Sequence, residues 1–261
     1  ENAVAVLREL NGMGMTSKPL LAAALAAVIA LAQPAAADFK AGVAAYESGD
    51  FAKALAEWKP LADGGDPAAQ YAVGLLHQYG QGVPPNPVEA VAWFAKAAEK
   101  GDANARFAIG LAHESGQGAA KDYQAAMQWY LRATETGPHA EAEYSLGRLY
   151  LRGRGVPRDA GKALEWFRKA ARHDHPAAQY LLAAAYESGA GVEPDRVEAY
   201  VWYGLAARAD PLLLAQYEPT FNAKLAMKTL KDRMASWEIQ KAQDKLAHAV
   251  KTHLSPKPAG K

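Results

Sequence analysis

The fold is decided by Tyr144-Ser-Leu-Gly-Arg-Leu-Tyr150, followed by Gly153-Arg-Gly-Val156 and Ala163-Leu-Glu-Trp-Phe-Arg-Lys-Ala-Ala171. Its parts recur along the chain. Trp58, Trp93, Trp129, Trp166 and Trp202 are separated by 35, 36, 37 and 36 residues. Gly74, Gly110, Gly147 and Ala183 keep the same beat, as do Ala90, Ala126, Ala163 and Ala199, and Tyr71, Phe107, Tyr144 and Tyr180. The pairs Gly80/Gly82, Gly116/Gly118, Gly153/Gly155 and Gly189/Gly191 repeat likewise. The single extra residue falls near Gly137-Pro138-His139, between units, where an insertion costs least. A fixed period of this size, held by several residue types, means a solenoid.

Each unit reads as two helices. The first is predicted from Pro67 to about Tyr79, with Asp66 as N-cap and Gly80 as the left-handed stop. The second is predicted from Pro87 to about Lys100, capped by Asn86 with Glu89 at the capping-box position. Asp102, Asp122, Asp159, Asp195 and Asp210 repeat the cap. Ala90, Trp93 and Ala97 share one helix face, so the tryptophans are expected in the core. The small residue in each first helix (Gly74, Gly110, Gly147, Ala183) then lets the helix pair close up.

Ala-Gln-Tyr-Ala-Val-Gly at 69–74, Gly-Gln-Gly-Val at 80–83 and Ala-Val-Ala-Trp-Phe-Ala-Lys-Ala-Ala-Glu-Lys-Gly at 90–101 resemble a Sel1-like repeat. Four units, 66–101, 102–137, 138–174 and 175–210, carry the resemblance. A divergent unit at 38–65, with Tyr46-Glu-Ser-Gly-Asp-Phe-Ala-Lys-Ala-Leu55, is similar to a tetratricopeptide repeat. The resemblance implies an all-α, right-handed α/α superhelical solenoid used as a scaffold or adaptor for protein partners. Some members are cysteine-rich and act on β-lactams; this chain has no cysteine and matches that subgroup poorly. Beyond the repeats, Pro219 to Met234 and Ser236 to about Leu254 read as two further helices, and 211–254 as the solenoid's polar-faced cap. Residues 255–261 are expected to be disordered.

Composition narrows the function. The 261 residues carry 28 acids and 29 Lys plus Arg, so bulk charge makes no case for nucleic acid. Half the residues are hydrophobic, which excludes a disordered tail. The absence of cysteine excludes disulfides, thiolate zinc sites and a cysteine nucleophile. At the N-terminus, Lys18, the apolar run Leu20–Leu31 and the Ala35-Ala36-Ala37 site read as a signal peptide over 15–37. Cleavage after Ala37, leaving Asp38 first, is expected, and with it a periplasmic or secreted address. Residues 1–14 read as an upstream extension.

No catalytic or cofactor constellation emerges. The Gly-x-Gly pairs lack a third glycine and a preceding strand, which a phosphate loop needs. His77 and His113 share a slot with Tyr150 and Tyr186, a packing pattern. His173-Asp174-His175 supplies two potential metal ligands without a third. His113-Glu114-Ser115 recurs as Tyr186-Glu187-Ser188, a helix end. Neither a cofactor nor an activated nucleophile is expected.

Charge is the most informative departure from the repeat. Residues 38–147 carry 8 basic and 14 acidic side chains, 148–172 carry 8 and 2, 173–210 carry 2 and 6, and 211–261 carry 9 and 4. Arg148 and Arg152 share a helix face at slots held elsewhere by Leu75/Tyr79, Leu111/Ser115 and Ala184/Ser188. Arg154 and Arg158 extend this basic band. In related helix-pair repeats the first helices line the concave surface. The resemblance therefore implies a groove presenting Arg148 and Arg152 with Gln78, Tyr79, Asn104, Glu114, Glu141 and Glu187. The expected occupant is a protein or peptide partner with an acidic segment, with solvated pairing of these arginines to neighbouring acids as the alternative. A second function class is an envelope enzyme or small-molecule binder acting on cell-wall or β-lactam-like ligands; a third is self-association through the end helices. Membrane contact by the basic C-terminal helices is the weaker reading beside a soluble cap.

Overall fold

The computed structural model describes residues 38–254; the signal-peptide reading of 15–37, the extension 1–14 and the tail 255–261 lie outside the described residues. Among the described residues there are thirteen α-helices and no strand. The N-terminal unit is α1 (Phe39–Glu47) and α2 (Phe51–Asp63). The four full units are α3 (Pro67–Tyr79) with α4 (Pro87–Glu99), α5 (Ala103–Ser115) with α6 (Tyr123–Ala133), α7 (Ala140–Arg152) with α8 (Ala160–Arg172), and α9 (Pro176–Ser188) with α10 (Arg196–Ala206). Each first helix packs on its own second helix and on the second helix of the unit before, which makes an α solenoid.

Local chemistry sets the ends. Asp66 accepts from the Ala69 N–H at 2.8 Å and Asp102 from Ala105 at 2.7 Å; in the next two units His139 and His175 do the same through Nδ1, each at 3.2 Å. Gly80 closes α3 at φ 67°, donating its N–H to the Leu76 carbonyl. The second glycine of each pair has a separate job. A Cβ on Gly82 would sit 2.7 Å from the Phe51 carbonyl carbon, and one on Gly155 2.7 Å from that of Tyr123. Each loop thus rests directly on the start of the preceding unit's second helix. The expected capping box does not form. The Asn86 N–H is already taken by the His77 carbonyl at 2.8 Å, and Asn86 alone caps α4 through the Glu89 N–H.

The tryptophans divide. Trp58 and Trp93 are buried, but Trp129, Trp166 and Trp202 are only half-buried. The residue that fills each helix-pair notch is the aromatic after the tryptophan. A Cβ on Gly74 would lie 2.5 Å from the Phe94 ring, on Gly110 2.5 Å from Tyr130, and on Gly147 2.5 Å from Phe167. In the N-terminal unit Trp58 itself lies against Gly42. Trp129 and Trp166 reach back to the preceding layer and leave one face to a cation, Arg132 at 4.8 Å and Lys169 at 3.9 Å. Period alone places both residues near one face, and helix rotation decides which one enters the notch.

The C-terminal segment holds three helices where two are expected: α11 (Pro211–Tyr217), α12 (Ala223–Lys231) and α13 (Ser236–Leu254). Pro219 drives Glu218 into an extended conformation, φ −157° and ψ 120°, and this ends α11. Asn222 then starts α12 by accepting from the Leu225 N–H at 3.0 Å. Both α12 and α13 pack on α10, where Leu246 meets Gly204.

Candidate functional site

On every first helix, positions three and four apart form one outward stripe. In the first full unit it is Ala68, Tyr71, Leu75, Gln78 and Tyr79; in the third it is Glu141, Tyr144, Arg148, Leu151 and Arg152. Stacked units turn these stripes into a continuous face. Tyr79 is 63 % exposed and Leu111 38 %, while Asn104 is also exposed and Gln78 half-buried.

The carboxylates of this face already hold partners. Glu114 accepts from the Tyr130 hydroxyl at 2.7 Å and pairs with Arg148 at 3.3 Å. Glu187 repeats the device, accepting from Tyr203 at 3.0 Å and pairing with Arg233 at 2.8 Å. Burial first, then the neighbouring carboxylate, pushes the Tyr130 and Tyr203 hydroxyls well above the usual phenol range, so both stay donors. Glu141 accepts from Tyr217 at 2.7 Å and from His175 Nε2 at 3.2 Å. Burial opposes ionisation of Glu141, yet these hydrogen bonds hold its carboxyl below the usual carboxylate range. Since His175 Nδ1 accepts the Ala178 N–H, its ring proton sits on Nε2 and points at Glu141.

The basic band is therefore split. Arg148 is engaged with Glu114, 34 residues away in the preceding unit but adjacent in space, and is not the open receptor that its departure from the repeat suggests. Arg154 is half-buried with its guanidinium over Tyr123 at 5.3 Å. Arg152 and Arg158 are exposed, and Arg152 lies close enough to Tyr144 to bias its hydroxyl. His173 and His175 turn to separate carboxylates, Glu143 at 2.8 Å and Glu141 at 3.2 Å. Among the described residues no three His, Asp or Glu side chains converge as metal ligands. Asp38 caps α1 through the Lys40 N–H at 2.9 Å, while Ala35 and Ala37 lie outside the described residues.

Two features escape the repeat reading. The first is a two-unit alternation. Tyr130 and Tyr203 face Glu114 and Glu187, whereas Phe94 and Phe167 face Gln78 and Leu151. At the Phe-bearing junctions the chain leaves equivalent apolar crevices, one of about 220 Å³ lined by Val91, Phe94 and Leu111, the other of about 190 Å³ lined by Leu164, Phe167 and Leu181. The second is the row Tyr71, Phe107, Tyr144 and Tyr180, which lies on the outward stripe and is partly covered by Tyr217 and Phe221. The alternation was readable by comparing units in pairs; the cover was not.

The Sel1 repeat profile matches residues 67–102, 103–137, 140–175 and 176–211, more than half of the chain, and the chain belongs to the Sel1 repeat family. Among solved structures it is similar to a Sel1 repeat protein from Oxalobacter formigenes, at 30% identity and a TM-score of 0.60 over 79% of this chain and 85% of that one. It is also similar to a protective antigen of uropathogenic Escherichia coli strains displaying an SLR fold, at 29% identity and a TM-score of 0.62 over 80% of this chain. This chain spans about half the length of that antigen, 47% of which is covered. No curated protein sequence matches. Sel1 repeat proteins generally mediate protein–protein interaction and are typically non-catalytic.

Proposed function

We propose that this chain is an exported, periplasmic scaffold or adaptor that holds a partner protein along its first-helix face. The observation that carries this reading is the state of that face. Its carboxylates are satisfied internally, while Tyr79, Asn104, Leu111 and Arg152 are exposed in one continuous strip over units one to three. Aromatic and arginine side chains presented together are the usual anchors of a protein interface. Arg152 and Arg158 offer charge to an acidic part of the partner, in a band of 8 basic and 2 acidic residues at 148–172. The signal-peptide pattern at 15–37 supports export. Among the described residues no helix is long and apolar enough to cross a membrane.

The test is in-cell crosslinking and recovery of tagged protein, read by mass spectrometry, with Tyr79→Ser/Arg152→Glu run in parallel. Both side chains are exposed, so the fold should survive the change. One dominant envelope protein, lost in the variant, supports the reading. No enriched protein, or one indifferent to the variant, ends it.

A further inference from the structure

The two-unit alternation sorts the junctions by polarity. At each junction a second helix meets the first helix of the next unit. Between units one and two the cleft holds Gln78, Phe94, Leu111 and Ser115; two units on, the same slots hold Leu151, Phe167, Ala184 and Ser188. Neither set carries a charge, and these are the crevices of about 220 and 190 Å³. At the junction between them the slots hold Glu114, Tyr130, Arg148 and Arg152. Tyr130 and Arg148 engage Glu114, at 2.7 and 3.3 Å, which leaves exposed Arg152 and half-buried Arg154 as surplus positive charge. Beyond unit four the basic pattern returns. Tyr203 and Arg233 engage Glu187, and the C-terminal segment completes an open pocket of about 430 Å³. Its other acids serve the backbone: Asp195 accepts from the Val197 N–H and Glu238 from the Ala235 N–H, each at 2.8 Å. Arg196, which gives one N–H to the Arg233 carbonyl, and Lys241 remain there beside Trp237, 66 % exposed.

The junctions therefore run apolar, basic, apolar, basic along one line. Stacked helices stand about 8–10 Å apart, which sets the interval between successive junctions. A polyproline II segment rises about 3.1 Å per residue with three residues per turn, so every third side chain points the same way about 9 Å further on. A β-strand turns alternate side chains to opposite faces and cannot keep a three-residue beat. We propose that this face binds a polyproline-like partner segment in which apolar and acidic side chains alternate at every third residue. The apolar side chains enter the two crevices, one acid meets Arg152, and the next meets Arg196 and Lys241. Such a segment is stiff before it binds, so little ordering opposes its capture. This deepens the scaffold reading and rests on it, by naming the chemistry of the segment that is held.

The test titrates a labelled peptide, Glu-Pro-Pro-Leu-Pro-Pro-Glu-Pro-Pro-Leu-Pro-Pro-Glu, into the purified protein; its pattern is the same in either chain direction. The expected result is saturable 1:1 binding. Changing the central Glu of the peptide to Lys should weaken it at least fivefold, and removing one proline on each side of that Glu at least tenfold. In the protein, Arg152→Glu should weaken the original peptide at least fivefold and restore the central-Lys peptide. Arg152 is exposed, and a regained affinity cannot come from misfolding. No saturable binding overturns the proposal. So does binding that ignores the spacing or the central charge, or tighter binding of an alanine-based helical peptide with the same groups seven residues apart. A protein that still captures an envelope protein in cells while ignoring these peptides keeps the scaffold reading and loses this one.

Discussion

Units two and three present the same slot in two states. In unit three, Glu141, Tyr144 and His175 are closed over by Tyr217, and His175 is 2 % exposed. In unit two, Asn104, Phe107 and His139 hold the corresponding positions without that cover, and His139 is half-buried. The backbone register is the same, so the difference comes from the side chains, Glu141 and Tyr144 against Asn104 and Phe107, together with the strap of residues 217–221 that crosses unit three. A repeat therefore fixes where a slot lies, and a non-repeating segment decides whether it is available. Among the described residues, units three and four are crossed by residues 217–221 and units one and two are not.

The largest effect should come from the layer beneath both halves. Phe167 fills the notch at Gly147, so Phe167→Ala should cost about 3–5 kcal/mol in denaturant unfolding. Half-buried Trp166→Ala should cost about 1–2 kcal/mol. Equal losses would mean that the tryptophan shares the notch. Next, Tyr217→Ser/Phe221→Ser should lower stability by about 2–4 kcal/mol and make units three and four resemble one and two in hydrogen exchange around Tyr144. An unchanged melt would mean that the strap merely rests on the face.

A smaller effect is expected at the junction between the halves. Arg148→Met removes a partly exposed ion pair but leaves Glu114 its Tyr130 hydroxyl, so the loss should be about 1 kcal/mol and shrink in high salt. A loss several times larger would make Arg148 structurally indispensable. The smallest effect concerns protons. Burial holds the His139 imidazole below the usual histidine range. The folded chain thus disfavours its proton, and the associated stability is complete above about pH 6.5 and declines as pH falls through that value. Glu141 is also held low, so its contribution is present above the ordinary carboxylate range and is lost only at lower pH. Urea titrations of wild type and His139→Asn between pH 7 and 5 should diverge in the histidine window, the variant losing less. Parallel curves would show that the imidazole proton is indifferent to folding.

Much of this was legible without coordinates. The period gave the helix pairs, Asp66 and Asp102 their caps, and Gly80 its left-handed stop, because these depend on residues within one turn of each other. Helix geometry put Arg148 and Arg152 on one face, and the resemblance to related helix-pair repeats implied that Tyr79 and Asn104 share it. Pro219, by contrast, reads as the start of a helix and in fact follows the end of one, because Glu218 before it is extended and the next helix begins only at Ala223.

What the sequence by itself determined is therefore the solenoid, its units and the caps and stops of its helices. Only the tertiary structure decided that Phe167 rather than Trp166 enters the notch, that Arg148 is spoken for by Glu114, and that Tyr217 closes a slot 76 residues away. The physical reason is range. Caps and helix faces are set by backbone geometry over three or four residues, whereas these pairings depend on helix rotation and on how successive layers meet, which no single unit encodes.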